Sequence, residues 1–332
     1  MRRISAGGLF LLGPETAAFE AEFAAFAAQK HAVAVSSGAS ALQLALTAIG
    51  VGPGDEVIVP AFTAVPTAAA VCAVGATPVF ADVERHSANL DPLAVEGART
   101  DKTRAVIVVH LYGRAATLPD TDLTIIEDAA QAHGALPAGN RSAATAYSFY
   151  PTKNLGGIGD GGAVVTADAD IAERVKMLRG HGMRAQYVHE RISQNFRMSE
   201  IEAAWLRLAL PLLPADNDRR REIAAVYRAA APQLQWHQPD ARHVYHLCVM
   251  RSSHRAQVRD WLQAKAIATA VHYPLPLNLQ PAYSHLARGQ MPQAEGWAAE
   301  CISLPCFAEM TDSEIDQVAV ALAELVSTGL AG

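Results

Sequence analysis

Two runs in the middle of the chain carry its most distinctive residues, TIIEDAAQAHG (residues 124–134) and YSFYPTKNLGGIGDGG (residues 147–162). The first run is apolar until it reaches a carboxylate, Asp128. The second holds Lys153 between a proline-containing turn and a glycine-rich loop. Only five of the 27 basic residues are lysines, so a lysine in the most glycine-rich loop of the chain indicates chemistry rather than solubility.

These runs supply the pair of groups that pyridoxal phosphate requires. That cofactor forms a Schiff base with a lysine and needs an acid that keeps its pyridine nitrogen protonated. Two structural roles compete with this interpretation: Lys153 as a surface residue of a hairpin, and Asp128 as the N-cap of a helix. Glu127 is the alternative carboxylate, but neighbouring side chains of a strand point to opposite faces.

Short apolar strands alternate with helices along the first two-thirds of the chain. The predicted strands include HAVAV (31–35), EVIVP (56–60), AVIVVH (105–110) and LTIIED (123–128). This alternation predicts an α/β fold around a largely parallel sheet that is buried on both faces. Ligands of such sheets bind beyond the carboxyl ends of the strands. Four polar residues are expected there: Ser36, His110, Asp128 and Ser148.

A turn of small residues, Ser36-Ser37-Gly38, joins the strand at 31–35 to an alanine- and leucine-rich helix. Backbone N–H groups are unsatisfied at a helix N-terminus and bind anions there. The turn is therefore a candidate phosphate site. Upstream, Thr16 is a candidate N-cap for the first long helix.

The pattern changes after Pro232. HVYHLCVM (243–250) alternates like an antiparallel strand, and ATAVHYPLP (268–276) is typical of a strand followed by a turn. We therefore expect two domains: a large domain over residues 1–230, and a smaller α+β domain over residues 231–332.

Composition limits the other functions. The net charge is −6, which argues against nucleic acid as a partner. No apolar run reaches the ~20 residues of a spanning helix, and the four scattered cysteines favour a reducing compartment, so we expect a cytoplasmic protein without membrane contact. The twelve histidines are dispersed, and no metal site is expected.

The chain also resembles the DegT/DnrJ/StrS family of pyridoxal-phosphate sugar aminotransferases along nearly its whole length. The resemblance is carried by segments in the expected order and at the expected spacing: AVSSGASALQLALTAIGVGPGDEVIVP, VHLYG, IIEDAAQAHG, SFYPTKNLGGIGDGGAVVT, LRGHG, NFRMSEIEAA, VHYPLPL and SLP. It implies the fold type I transaminase architecture, with a mixed seven-stranded sheet in the large domain, a smaller C-terminal domain, and a homodimer whose active sites lie between the chains.

The resemblance also assigns residues. Lys153 matches the Schiff-base lysine, Asp128 the acid at the pyridine nitrogen, and Gln131 the residue that contacts the ring near its hydroxyl. The phosphate cradle is matched by Ser37, Gly38, Ala39 and Ser148. Asn195 resembles the residue that reaches the phosphate of the partner subunit.

Some positions depart from the family pattern. Ala39 stands where threonine is usual, with Ser40 as a candidate replacement for the missing hydroxyl. Ala64 stands where an aromatic residue commonly stacks on the cofactor, with Phe62 nearby. Glu202 replaces a common glutamine. We expect these changes to affect substrate choice and cofactor affinity more than the type of reaction.

The expected activity is transfer of an amino group from L-glutamate to a keto group of a nucleotide-linked sugar or a related cyclitol, in polysaccharide or antibiotic sugar biosynthesis. Two alternatives remain open from the sequence. One is a dehydratase or aromatising synthase of the same family; Lys153 disfavours the sugar dehydratases, in which histidine replaces the lysine. The other is a sensor that retained the cofactor pocket without catalysis.

Overall fold

The computed structural model describes residues 2–136 and 142–330. A seven-stranded sheet organises the first half of the chain, with strand order β1-β7-β6-β5-β4-β2-β3. Its strands are β1 (His31–Val35), β2 (Glu56–Pro60), β3 (Thr77–Ala81), β4 (Thr103–Val109), β5 (Thr124–Asp128), β6 (Ala144–Ser148) and β7 (Gly162–Thr166). Neighbouring strands from β6 to β3 are parallel, whereas β7 is antiparallel to both β6 and β1. The sheet is therefore mixed and mostly parallel.

Helices cover both faces of this sheet and continue into the C-terminal part. They are α1 (Arg2–Gly7), α2 (Pro14–Phe26), α3 (Gly38–Ala48), α4 (Pro66–Ala73), α5 (Pro92–Ala98), α6 (Ala169–Arg179), α7 (Glu200–Ala209), α8 (Leu213–Ala230), α9 (Arg255–Ala264), α10 (Pro292–Glu300) and α11 (Asp312–Val326). In β4, Ile107 packs in the core beneath α3, α4 and α6, while Val106 and Val108 pack in a core on the opposite face. Burial on both faces explains why the central strands are continuously apolar.

A second, smaller antiparallel sheet lies in the C-terminal part. It consists of β10 (Gln235–Trp236), β11 (Cys248–Arg251) and β12 (Cys301–Leu304). Its hydrophobic core is shared with α8, α9 and α11 and is separate from the cores of the large sheet. Ile223 and Tyr227 of α8 belong to this core, so the predicted boundary at residue 230 stays a prediction.

Two strand predictions for this part were too long. Of residues 243–250, only those from Cys248 onward form a strand, because Val244 and Leu247 donate backbone hydrogen bonds to Gly113 and Tyr112 of the large sheet's loops instead. Of residues 268–276, only Ala270 forms a bridge, to Ser303.

The N-terminus of α2 is stabilised in a way that the local sequence does not indicate. Gly13, not Thr16, occupies the N-cap position. The Glu200 carboxylate in the first turn of α7 accepts hydrogen bonds from the backbone N–H groups of Gly13, Glu15 and Thr16, at 2.8–2.9 Å. The N-cap prediction for Thr16 was wrong because a carboxylate almost two hundred residues away satisfies the N–H groups that a local cap would have served.

Candidate active site

A cavity of about 270 Å³ opens at the carboxyl ends of β1, β5 and β6. This is the position expected for a ligand of an α/β sheet. Seven of the eight residues predicted for the site line it: Ser37, Gly38, Ala39, Asp128, Gln131, Ser148 and Lys153. The eighth, Asn195, lies outside it in the same chain.

Two of the four polar residues expected at the strand ends line the cavity, and two do not. Asp128 and Ser148 do so. Ser37 lines the cavity in place of Ser36, whose hydroxyl lies 3.0 Å from that of Ser40. The His110 ring is buried, with Nε2 2.8 Å from Glu127 Oε2. Glu127 therefore faces away from the cavity, as the strand geometry predicted.

We call Ser37, Gly38, Ala39 and Ser148 the cradle. Ser37 is the N-cap of α3, and its Oγ accepts the backbone N–H of Ser40 at 3.1 Å. Gly38 and Ala39 form the first helical turn, whose N–H groups have no helical acceptor. A Cβ atom on Gly38 would lie 2.6 Å from Ser148 Cβ, so this close approach of α3 to β6 requires glycine. The cradle fits an anion.

Neither candidate replacement for the missing side chains lines the cavity. The Ser40 hydroxyl lies 2.8 Å from that of Ser37 and is directed into the turn. Phe62 is 1% exposed and packs with its ring centroid 6.3 Å from those of Tyr273 and Trp297. Ala64 does line the cavity, so this position contributes only a methyl group to the wall.

Asp128 ends β5 and is 6% exposed. Its Oδ1 accepts the Ala130 N–H at 3.1 Å, and its Oδ2 accepts the Thr67 hydroxyl at 3.0 Å. Burial raises the pKa of Asp128, against the opposing effects of these two hydrogen bonds and of the Lys153 charge. A buried carboxylate held in this way is suited to pair with a cationic group of a ligand.

Lys153 lies in the loop between β6 and β7, where its N–H donates to the Tyr150 carbonyl at 2.8 Å. Burial lowers the pKa of its amine, while the negative charge of Asp128 raises it. A lowered pKa increases the fraction of neutral, nucleophilic amine. Lys153 and Asp128 thus form an electrostatically coupled pair on one side of the cavity, which we call the lysine–acid side.

Gln131 is oriented by two distant segments. Its Oε1 accepts the Tyr112 N–H at 2.6 Å, and its Nε2 donates to the Tyr273 hydroxyl at 3.2 Å. The Tyr112 hydroxyl donates to the His272 carbonyl. The sequence did not assign roles to these tyrosines or to Thr67, because nothing local indicates the residue to which each one bonds.

The glycine loop after Lys153 rests on α7. A Cβ atom on Gly157 would lie 1.5 Å from Glu202 Oε1, and the Trp205 indole N–H donates to the Gly156 carbonyl at 3.0 Å. Glu202 is buried, and its Oε1 has no hydrogen-bond partner among the described residues. Burial raises the pKa of Glu202 against backbone hydrogen bonds from Ile158 and Gly159, and the nearby charge of Asp160, which lines the cavity, raises it further.

The segment that contains Asn195 follows α6 and is largely exposed. It includes a hairpin of β8 (Met183–Ala185) and β9 (Val188–His189) whose residues are exposed. Asn195 is exposed too, and its Oδ1 accepts the Arg197 Nε–H at 2.9 Å.

The family follows from comparison with known proteins. A model of the DegT/DnrJ/EryC1/StrS aminotransferase family matches residues 1–323. This chain belongs to that family. It is 47% identical over 321 residues to a dTDP-3-amino-3,4,6-trideoxy-alpha-D-glucose transaminase of Streptomyces venezuelae, covering 91% of this chain and 85% of that one.

Solved structures of family members have the same architecture. The S. venezuelae protein DesV, in complex with a ketimine intermediate, superposes with a TM-score of 0.92 at 45% identity, covering 97% of this chain and 92% of DesV. NtdA of Bacillus subtilis, with bound cofactor PMP, gives a TM-score of 0.92 at 27% identity, covering 98% of this chain and 80% of NtdA. The predicted fold type I architecture is confirmed.

Pyridoxal phosphate is the cofactor of this aminotransferase family, and the cavity fits it. The cradle offers unsatisfied N–H groups to a phosphate, and a buried carboxylate and an amine of lowered pKa line the same cavity. Within residues 2–136 and 142–330, no helix combines the length and apolar character needed to cross a bilayer. Over the same ranges, His, Cys, Asp and Glu side chains form no group of three that could hold a metal ion.

Proposed function

We propose that this aminotransferase moves an amino group from L-glutamate to a keto group of a nucleotide-linked sugar or related cyclitol, in polysaccharide or antibiotic sugar biosynthesis. The observation that carries the proposal is the placement of Lys153 and Asp128 on one cavity with an anion cradle. The relative from S. venezuelae is named for a dTDP-linked amino sugar, which supports a nucleotide-linked sugar as the substrate.

We assign the residues of the site as follows. The cradle residues Ser37, Gly38, Ala39 and Ser148 hold the phosphate. Asp128 pairs with the protonated pyridine nitrogen, and Gln131, fixed by Tyr112 and Tyr273, contacts the ring. Lys153 holds the cofactor covalently between turnovers.

Bound pyridoxal phosphate supplies an electron sink for the carbon that carries the amino group. Lys153 Nζ, as a neutral amine, would take the proton from Cα of the donor and deliver it to the cofactor carbon that receives the amino group. Its lowered pKa favours that form. Thr67 and Ala130 donate hydrogen bonds to the two oxygens of Asp128, which favours its carboxylate form against the opposing effect of burial, and a protonated ring nitrogen would favour that form further. In the second half-reaction, Lys153 would move a proton in the opposite direction, from that cofactor carbon to the substrate carbon that receives the amino group.

We further propose a homodimer with shared active sites. The supporting observations are the exposed position of Asn195 and the exposed apolar side chains nearby, including Tyr187 at 84% and Ile192 at 103% exposure. In this arrangement Asn195 contacts the phosphate in the partner subunit. We place the enzyme in the cytoplasm, because Cys72, Cys248, Cys301 and Cys306 are all free thiols.

The first experiment is an absorbance spectrum of the protein with added pyridoxal phosphate, before and after L-glutamate. We expect a yellow band that bleaches when glutamate is added, followed by a screen of keto sugars with dTDP or UDP. The matched control is Lys153→Ala, which should give neither band nor bleaching. A band that does not change when glutamate is added would indicate another amino donor or the dehydratase alternative. No band at all would contradict the proposal, because the site would then not form a Schiff base with the cofactor.

The shared site can be tested by subunit mixing. Asn195→Ala should weaken cofactor binding, and Lys153→Ala should abolish turnover. If Asn195 acts across the interface, a mixed dimer of the two variants has one site with both natural residues, and activity returns on mixing. Activity that does not return, although mixed dimers form, would contradict the assignment of Asn195.

A further inference from the structure

Asn154, the residue after Lys153, lies at the centre of a partly buried polar network. Its Nδ2 donates to Asn217 Oδ1 at 2.8 Å and to the Val244 carbonyl at 2.9 Å. Its Oδ1 lies 3.2 Å from His246 Nδ1. The amide thus joins the lysine loop to α8 and to the segment that leads into β11.

The network continues to the loop that carries the acid. Asn217 is 3% exposed, and its Nδ2 donates to the His133 carbonyl at 2.8 Å. His133 lies five residues after Asp128, in the turn that also presents Gln131. The two loops of the lysine–acid side are therefore fixed to each other through Asn154 and Asn217, behind the cavity rather than inside it.

This arrangement also fixes the form of His246. Both donors of Asn154 point to acceptors, so its Oδ1 accepts, and His246 Nδ1 must carry the hydrogen. Burial, and then the positive charge of Lys153, lowers the pKa of His246 well below its ordinary value. The other groups that act on this ring are Arg220, His133 and His272. His246 is therefore a neutral imidazole within range of the lysine charge.

We propose that Asn154 is a positioning residue for Lys153: it locks the lysine loop against α8 and the 244–246 segment, and so keeps the amine partly buried beside Asp128 with an uncharged imidazole nearby. The inference rests on the proposed role of Lys153. The competing explanation is that Asn154 only fastens α8 to the loop that follows β6.

The test measures the reactivity of Lys153 in the full chain freed of cofactor. The protein is treated with an amine-selective acetylating reagent over a range of pH, and modification of Lys153 is quantified by mass spectrometry. Burial is the main cause of the lowered pKa of Lys153. Loosening the loop in Asn154→Ala should therefore raise the midpoint of the reaction by about one pH unit. Asn154→Asp should raise it more, because it also adds a negative charge.

The matched control is Asn217→Ala. It removes the same hydrogen bond between the two asparagines but leaves Asn154 bonded to Val244 and His246. We expect a lower melting temperature and a smaller rise of the midpoint than in Asn154→Ala, because two of the three hydrogen bonds that hold the lysine loop remain. In the loaded enzyme, the pH at which the absorbance of the bound cofactor changes should follow the same order of variants.

Two results would overturn the proposal. In the first, Asn154→Ala and Asn154→Asp are shown to be folded by their melting curves but keep the wild-type midpoint. In the second, Asn217→Ala raises the midpoint as much as Asn154→Ala does. Failure of the proposed function would look different. In that case wild-type Lys153 would not bind pyridoxal phosphate, whatever midpoint its amine shows in the cofactor-free chain.

Discussion

The cradle and the lysine–acid side face the same cavity but consist of different kinds of chemical group. The cradle is formed by backbone and small side chains, and its shape depends on the contact between Gly38 and Ser148. The lysine–acid side depends on two ionisable groups, Asp128 and Lys153. Burial disfavours the charged form of each group, whereas their mutual attraction, and for Asp128 its hydrogen bonds, favour it. Substitutions should therefore act through steric fit on the first side and through charge on the second.

The largest effect is expected on the lysine–acid side. Lys153→Ala removes the group that moves the proton at Cα, and turnover should fall by about 10⁴-fold, the upper range for proton transfer by a positioned side chain. The melting temperature should not fall, because the substitution removes a partly buried amine. Single-turnover measurement with glutamate checks the effect. A variant that retains a tenth of the activity would show that another residue moves this proton.

Asp128→Asn keeps the shape of the side chain and removes its charge. A hydrogen bond to a charged group contributes about 1.5–3 kcal/mol, so kcat/KM should fall by roughly 10- to 10²-fold, at about 1.4 kcal/mol per tenfold. Thr67→Val removes one hydrogen bond to Asp128 and should lower kcat/KM by a smaller factor. Equal activity of Asp128→Asn and the wild type would place the essential acid elsewhere.

On the cradle side, Gly38→Ala introduces a methyl group 2.6 Å from Ser148 Cβ. Such overpacking costs about 1–3 kcal/mol, and α3 must move away from β6, so both the melting temperature and the affinity for pyridoxal phosphate should fall. Gly97→Ala is the control. Gly97 lies in α5 with no atom near its hypothetical Cβ, and alanine there should stabilise the fold by about 0.5–1 kcal/mol. If Gly97→Ala lowered the melting temperature and the cofactor affinity as much as Gly38→Ala does, the steric explanation of the cradle would be wrong.

The smallest effect concerns Glu202, beneath the glycine loop that joins the two sides. Its folded-state pKa is raised, mainly by burial, so the carboxylate form destabilises the fold increasingly as pH rises above the ordinary range of a glutamate. Glu202→Gln removes this titration. The variant should match the wild type near pH 4 and exceed it at pH 7 by about 1 kcal/mol, the lower range for a buried polar atom without a partner. Urea unfolding at both pH values measures this. A stability difference that does not change with pH would show that Glu202 does not titrate in this range.

The sequence predicted the residues whose environment is local. Asp128 and Ser148 end apolar strands, Lys153 follows a proline turn, and Gly38 begins a helix after a strand. The fold of the large domain could be predicted for the same reason, since each strand is a short apolar run between helices.

The residues that the sequence missed depend on distant partners. Thr67 meets Asp128 across 61 residues, and Tyr273 meets Gln131 across 142. The same reason explains the wrong N-cap at Thr16, where Glu200 supplies the acceptor. Periodicity reports how a segment is buried, not which other segment provides the hydrogen bond, so these contacts required the structure.

The sheet order has a consequence for how the chain is made. Strand β1 pairs only with β7 among the strands of the large sheet, so residues 31–35 have no strand partner until residues 162–166 have left the ribosome. The N–H groups at the N-terminus of α2 lack their carboxylate acceptor for longer still, until Glu200 has also left the ribosome. Because long-range pairing is slow and leaves apolar edges exposed meanwhile, the first fifty residues of a nascent chain should depend on chaperones, and ribosome-bound chains that end before residue 166 should be cleaved readily by protease within β1.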